Sequence, residues 1–211
     1  MIINGQNIGK LTYNGIEINK VLYNNLVVFK KITQPVSNVI YFNDFNADDN
    51  ITIGDGWVNL IGTMGIQNGK AYVSSASGRT ALAVKDVGIS DCVLSVEVII
   101  GNQDGIAFRV VDDKNYYFAR ITFNGLLQVY RMLAGSATLL GEYSVGTING
   151  GTYKMIIKLQ GDSLTIGLDD KESLVTTTTS YFNNATSHGM RSYSSGSTYG
   201  NYDNFEVKTV L

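Results

Sequence analysis

The chain has 211 residues, 44% of them hydrophobic and 16% charged, with 16 Lys and Arg against 18 Asp and Glu for a net charge of −2. That balance fits a globular domain, not a disordered segment, and no basic block is present to meet nucleic-acid phosphates. One Cys, Cys92, excludes an intramolecular disulfide, and one Cys with one His cannot furnish a zinc site.

Residues 1–31 carry a ten-residue repeat. Asn4-Gly5, Asn14-Gly15 and Asn24-Asn25 recur at equal spacing, with Ile8, Ile18 and Val28 in register, then Lys10, Lys20 and Lys30. The period fits eight strand residues and a two-residue turn, which predicts a small three-stranded β-meander. About 30 residues of sheet bury too little to stand alone, so this module should dock on something else. The amino terminus has neither a basic region nor an apolar core of the export-signal kind, so synthesis in a cytoplasm without ordinary export is expected, and no run is long enough to span a membrane.

The only proline, Pro35, lies in a short connector. The expected organisation is therefore a meander over 1–33 and a larger β-domain over 38–211. The larger domain opens with Tyr41, Phe42 and Phe45, the acidic group Asp44, Asp48 and Asp49, and then Trp57. Gly and Asn turns separate short apolar runs up to residue 93.

The segment 94–130 reads as three adjacent antiparallel strands and the start of a fourth, with turns at 102–105, 112–115 and Asn124-Gly125. Side chains two apart share a face. With Leu94, Val96, Val98, Ile106, Phe108, Val110, Tyr117, Ala119, Ile121, Leu127 and Val129 inward, the other face carries Glu97, Arg109, Tyr116, Phe118, Arg120, Gln128 and Tyr130. Aromatic rings beside Arg, Gln and Glu suit the flat apolar faces and hydroxyl rims of sugars. An ordinary solvent face, or one covered by a neighbouring subunit, fits the same alternation. Beyond it, 153–159 and 164–168 alternate cleanly around a Gly161-Asp162-Ser163 turn, 173–180 is Thr-rich, 187–201 reads as a loop flanking one strand, and 202–207 closes with an alternating strand.

The order DGIAFR (104–109), NYYFARI (115–121), GLLQVYR (125–131), GGTYKMIIKLQGDSLTIGLDD (150–170), HGMRS (188–192) and YDNFEV (202–207) resembles the concanavalin A-like and laminin G-like lectin and glucanase jelly rolls over about residues 40–211. The resemblance implies an all-β, two-sheet antiparallel sandwich, first and last strands paired, and carbohydrate on a concave sheet, with Trp57 as a rim residue. Residues 1–31 resemble modules, written NGxxIxKvxYNG, at the amino ends of bacteriophage structural proteins. Together the two imply a virion protein: a capsid or tail component attached to other virion proteins through 1–31, homo-oligomeric, with trimers especially expected, and meeting host surface polysaccharide. A purely structural decoration or assembly protein is the alternative.

Catalysis finds little support in the residues. Glycoside hydrolysis needs two carboxylates flanking the scissile bond, and the outward face offers only Glu97; the E-x-D-x-x-E strand of the glucanases is missing. A polysaccharide-cleaving enzyme is thus the weaker alternative. His188 reads as a loop residue, and Asp112 and Asp113 as turn formers. If the first and last strands pair, Asp44, Asp48 or Asp49 would approach Asp203, and a structural calcium held by these oxygens is the one metal to expect, with ordinary turn and cap aspartates as the alternative.

Overall fold

In the computed structural model the chain divides into two compact units, Met1–Val36 and Ser37–Val210. The structure describes residues 38–146, 151–169, 171–196 and 198–210, the Glu172 side chain excepted, and only the backbone of short strands in the first unit. In that unit β1 (Ile2–Ile3) pairs with β2 (Gln6–Asn7), β3 (Thr12–Tyr13) with β4 (Ile16–Glu17), and β5 (Lys20–Tyr23) with β6 (Leu26–Lys30), all antiparallel. Each pair brackets one predicted turn of the repeat. The joins that would make one meander, and the connector around Pro35, lie outside the described residues.

The second unit is all-β among its described residues. Its early strands are β7 (Val39–Asn43), β8 (Val58–Ile61), β9 (Thr63–Gln67), β10 (Lys70–Ser75) and β11 (Thr80–Asp86). The middle of the chain supplies β12 (Cys92–Ile99), β13 (Gln103–Val110), β14 (Tyr116–Thr122), β15 (Leu126–Leu133) and β16 (Ser136–Ser144). The last are β17 (Thr152–Gln160), β18 (Ser163–Leu168), β19 (Lys171–Thr178), β20 (Ser187–Tyr193) and β21 (Asn201–Thr209). They form an eight-stranded sheet, β19-β18-β17-β12-β21-β10-β9 with β7 also on β21, and a seven-stranded sheet, β16-β15-β14-β13-β20-β11-β8. The pairing of β7 with β21 is the first-and-last pairing that the jelly-roll resemblance implies.

Alternation along each strand builds the core between the sheets. Leu94, Val96 and Val98 from one sheet meet Ile106, Phe108, Tyr117, Ala119, Ile121, Leu127 and Val129 from the other, all essentially without solvent exposure. The rings of Phe108 and Tyr117 stack with centroids 5.7 Å apart. Burying each large apolar side chain is worth about 1.5–3 kcal/mol, which makes this layer the main source of stability.

The structure departs from the sequence reading in two places. Strand β12 is not a neighbour of β13; it pairs with β17 and β21 in the opposite sheet. The chain crosses between sheets at 100–103, where the Asp104 carboxylate accepts the backbone N–H groups of Gly101, Asn102 and Gly200 at 2.8, 2.9 and 3.0 Å. What looked like a hairpin turn is therefore a corner. Burial raises the Asp104 pKa above the ordinary carboxylate range, and these donors act against it.

The second departure is a bulge in β13. Arg109 has φ +48° and the register with β20 shifts between Ala107 and Val110. One extra residue reverses the facing of everything after it, so Val110, expected inside, packs with Tyr116 and Phe118 on the outer face. The 187–201 segment, read mostly as a loop, supplies β20 in the middle of the seven-stranded sheet.

Candidate functional site

The outer face of the seven-stranded sheet is where the structure gathers most of the predicted residues. Tyr116, Phe118 and Arg120 alternate on β14, and Gln128 and Tyr130 on β15, in register as Arg120 opposite Gln128 and Phe118 opposite Tyr130. Phe118 and Tyr130 stack at 5.1 Å with 9° between planes, and Tyr116 lies 5.8 Å from Phe118. Around them sit Leu82, Val84, Ala107 and Val110, with Leu60, Ile61 and Met132 at the margin.

Burial sorts these rings into two roles. Tyr116 and Phe118 are 1% and 2% exposed, so they form the floor and offer no ring face to a ligand. Tyr130 is only partly buried and remains the accessible ring of the stack.

Polar groups lie over this floor in one hydrogen-bonded cluster. Arg120 donates from Nε to Gln128 Oε1 at 3.0 Å, from Nη2 to the Tyr130 hydroxyl at 3.1 Å, and from Nη1 to Gln103 Oε1. Its guanidinium also lies over the Tyr130 ring, 4.7 Å from the centroid. Tyr130 in turn donates to Gln128 Oε1 at 3.3 Å, and Gln128 Nε2 donates to Glu142 on β16 at 2.9 Å. Burial depresses the Arg120 pKa from its ordinary value, and the like charge of Arg191 adds to the effect.

Arg191, Gln103 and Glu142 belong to this site although the sequence reading did not single them out. Arg191 lies on β20, its guanidinium 4.1 Å from the Phe118 centroid and its Nε donating to the Tyr116 hydroxyl at 3.3 Å. Tyr193 shares that face of β20, in register with Gln103. The available signal was the alternation of His188, Met190 and Ser192 against Gly189, Arg191 and Tyr193, masked by a Gly- and Ser-rich context.

Three predicted members lie elsewhere. Arg109 turns away at the bulge and is fully buried. It donates to Thr179 Oγ1, Asn183 Oδ1, Asp91 Oδ1 and the Gly161 carbonyl at 2.6, 2.7, 2.9 and 2.8 Å. It is a structural clamp between loops. Glu97 belongs to β12 and stands between Lys154 and Asp203 in the other sheet. Trp57 packs on the main core beside Tyr41, Phe45 and Phe205, its indole N–H donating to the Tyr41 hydroxyl at 2.8 Å.

The aspartates expected around calcium have separate partners. Asp203 pairs with Lys70 at 2.7 Å, Asp49 accepts the Asn68 N–H at 2.8 Å, and Asp44 accepts the Asn46 N–H at 3.3 Å. Among the described residues no three His, Cys, Asp or Glu side chains converge to hold a metal ion, Asp48 included. His188 is buried behind the sheet, its Nδ1 accepting the Arg109 N–H and its Nε2 bound to the Ile89 carbonyl at 3.0 Å, 3.7 Å from Cys92 Sγ. Burial holds its pKa down to about 4 and pushes the Cys92 thiol up to about 12.

No protein-family model matches the chain, and no curated protein matches it. Among solved structures it is similar to the carbohydrate-binding module CBM66 from Bacillus subtilis, at 19% identity over 76% of this chain and 98% of that one, TM-score 0.63. It is also similar to the CBM2 module of the evolved Dit of Lactobacillus casei BL23 phage J-1, at 15% identity over 83% of this chain and 97% of that one, TM-score 0.57. A third is SCLam, a non-specific endo-β-1,3(4)-glucanase of family GH16, at 9% identity over 83% and 92%, TM-score 0.58. At such identities the likeness is one of fold, a two-sheet jelly-roll sandwich.

Proposed function

We propose that this chain is a non-enzymatic structural component of a bacteriophage particle. It holds host surface polysaccharide on the outer face of its seven-stranded sheet, with residues 1–31 joining it to other virion proteins and to further copies of itself. The observation that carries the reading is the cluster of Tyr130, Arg120, Gln128 and Glu142: an accessible ring, with planar hydrogen-bonding groups at its edge, over an aromatic floor. That combination suits a pyranose, whose axial hydrogens stack on a ring while its hydroxyls bond in plane. Support for the virion setting comes from the repeat in residues 1–31 and from the phage module among the similar structures. Against catalysis stands the distance between sheets: Glu142 is on this face, while Glu97 sits in the opposite sheet.

Titration calorimetry of the whole protein against purified bacterial surface polysaccharides tests the proposal. Saturable heat is expected, weakened at least tenfold in Tyr130→Ala, on the scale of an aromatic anchor worth about 2 kcal/mol. The exposed Leu139 opposite Tyr130 favours one other reading, a contact between subunits. Silence across the panel, together with a mass in solution that falls in Tyr130→Ala, would replace the first reading by that one.

A further inference from the structure

Between the two guanidinium groups of this face lies a gap floored by glycine. Arg120 on β14, Gly105 on β13 and Arg191 on β20 are mutual register partners, and alternation puts all three on the outer face. In the adjoining row Phe118, Ala107 and Gly189 are likewise in register. The central strands thus place no large side chain between the arginines. At Gly105 none fits, since a Cβ would stand 2.1 Å from the Ala119 carbonyl oxygen.

Neither arginine has a carboxylate partner among the described residues; the ion pairs there are Lys70–Asp203, Lys85–Asp55, Arg109–Asp91 and Lys208–Glu206. Arg191 is 7% exposed, and its Nη1 is buried without a hydrogen-bond partner. A guanidinium so placed is costly to keep unless something returns the missing bond. The neutral acceptors nearby are occupied: Gln128 Oε1 takes bonds from both Arg120 and Tyr130, and Gln103 Oε1 takes one from Arg120. The face therefore has donors in excess, matched by a group that only accepts.

From this we infer that the glycan held here is anionic, with an oxyanion seated between Arg191 and Arg120 while the sugar ring lies toward Tyr130. The inference rests on the carbohydrate-binding reading above and adds the substrate class. A guanidinium presents planar, forked donors that fit a carboxylate or a phosphate. Both occur on glycans, as uronic acids and as sugar-phosphate or polyol-phosphate polymers.

The test titrates the whole protein with oligogalacturonate, with glycerol-phosphate oligomers and with uncharged maltohexaose, each at 20 and 300 mM NaCl. One anionic probe is expected to bind, at least tenfold more tightly than the neutral one and more weakly at high salt. Which one identifies carboxylate or phosphate as the source. Arg191→Met should lose at least tenfold for the anion and leave neutral sugar unchanged, and Arg191→Lys should recover only part, since the fork is gone. Should Arg191→Met fail to fold, Arg120→Met and the salt response of the native protein decide. Neutral sugars bound as tightly as charged ones, insensitive to salt and to Arg191→Met yet lost in Tyr130→Ala, would overturn the anionic assignment and leave the carbohydrate reading standing. Absence of binding to any saccharide would overturn both.

Discussion

Replacing Arg109 by Met should unfold the domain more readily, not empty its ligand face. The side chain is fully buried and spends its donors on Thr179, Asn183, Asp91 and Gly161. Asp91 is 49% exposed, so water can replace the guanidinium there, and Gly161 is exposed as well. Thr179 is wholly buried and Asn183 partly so. Bonds from a charged donor to such acceptors are worth about 1.5–3 kcal/mol each, and relief of the arginine's own desolvation offsets some of the loss. A net destabilisation of about 2–4 kcal/mol follows, which lowers Tm by roughly 5–15 °C in a domain of this size. Urea unfolding of native and variant protein measures it as a shift in midpoint at constant slope. A loss below about 1 kcal/mol with glycan binding abolished would refute the reasoning and return Arg109 to the ligand surface.

Acid should destabilise the fold through His188. Its pKa falls from 6.5 to about 4 on burial, so between those values the unfolded chain binds more protons and stability rises with pH. The contribution is complete above pH 6.5 and lost as pH falls to 4, about 3 kcal/mol in all; unfolding free energies from pH 4 to 7, compared with those of His188→Gln, would show the slope flatten in the variant. Gly189→Ala places a Cβ 1.9 Å from the Ala83 carbonyl oxygen in the centre of the sheet. It should cost more than 2 kcal/mol, read by thermal melting, and a neutral result would mean that the β11–β20 pairing yields easily.

Much of the sandwich was legible because alternation is a local property. The inner layer from Leu94 to Val129 was assigned correctly except at Val110, and Asn124-Gly125 does join β14 to β15. What alternation does not carry is which sheet a strand enters. The turn chemistry of Asn102-Gln103-Asp104-Gly105 fits a hairpin as well as a corner, and only the distant Gly200 N–H on Asp104 distinguishes them. Nor does it reveal a single-residue bulge, and that bulge moved Arg109 from the face to the clamp. The site was half legible for a related reason. Its β14 and β15 residues alternate within strong turn signals, whereas Arg191 reaches them through a pairing of β13 with β20 some 80 residues apart in sequence.

The central position of β21 governs when the fold can form. It is bonded to β12 on one side and to β10 and β7 on the other, and Tyr202 reaches across to Ser192 and the Arg191 carbonyl at 2.7 and 2.8 Å. Until residues 201–209 arrive, the larger sheet is two halves with no shared strand, and every contact that joins them spans most of the chain. Such long closures make folding slow. A growing polypeptide would therefore keep its apolar layers exposed until this segment has been delivered, and its first clients in the cell would be chaperones. A product truncated before Asn201 would lose the whole sandwich and not merely one strand.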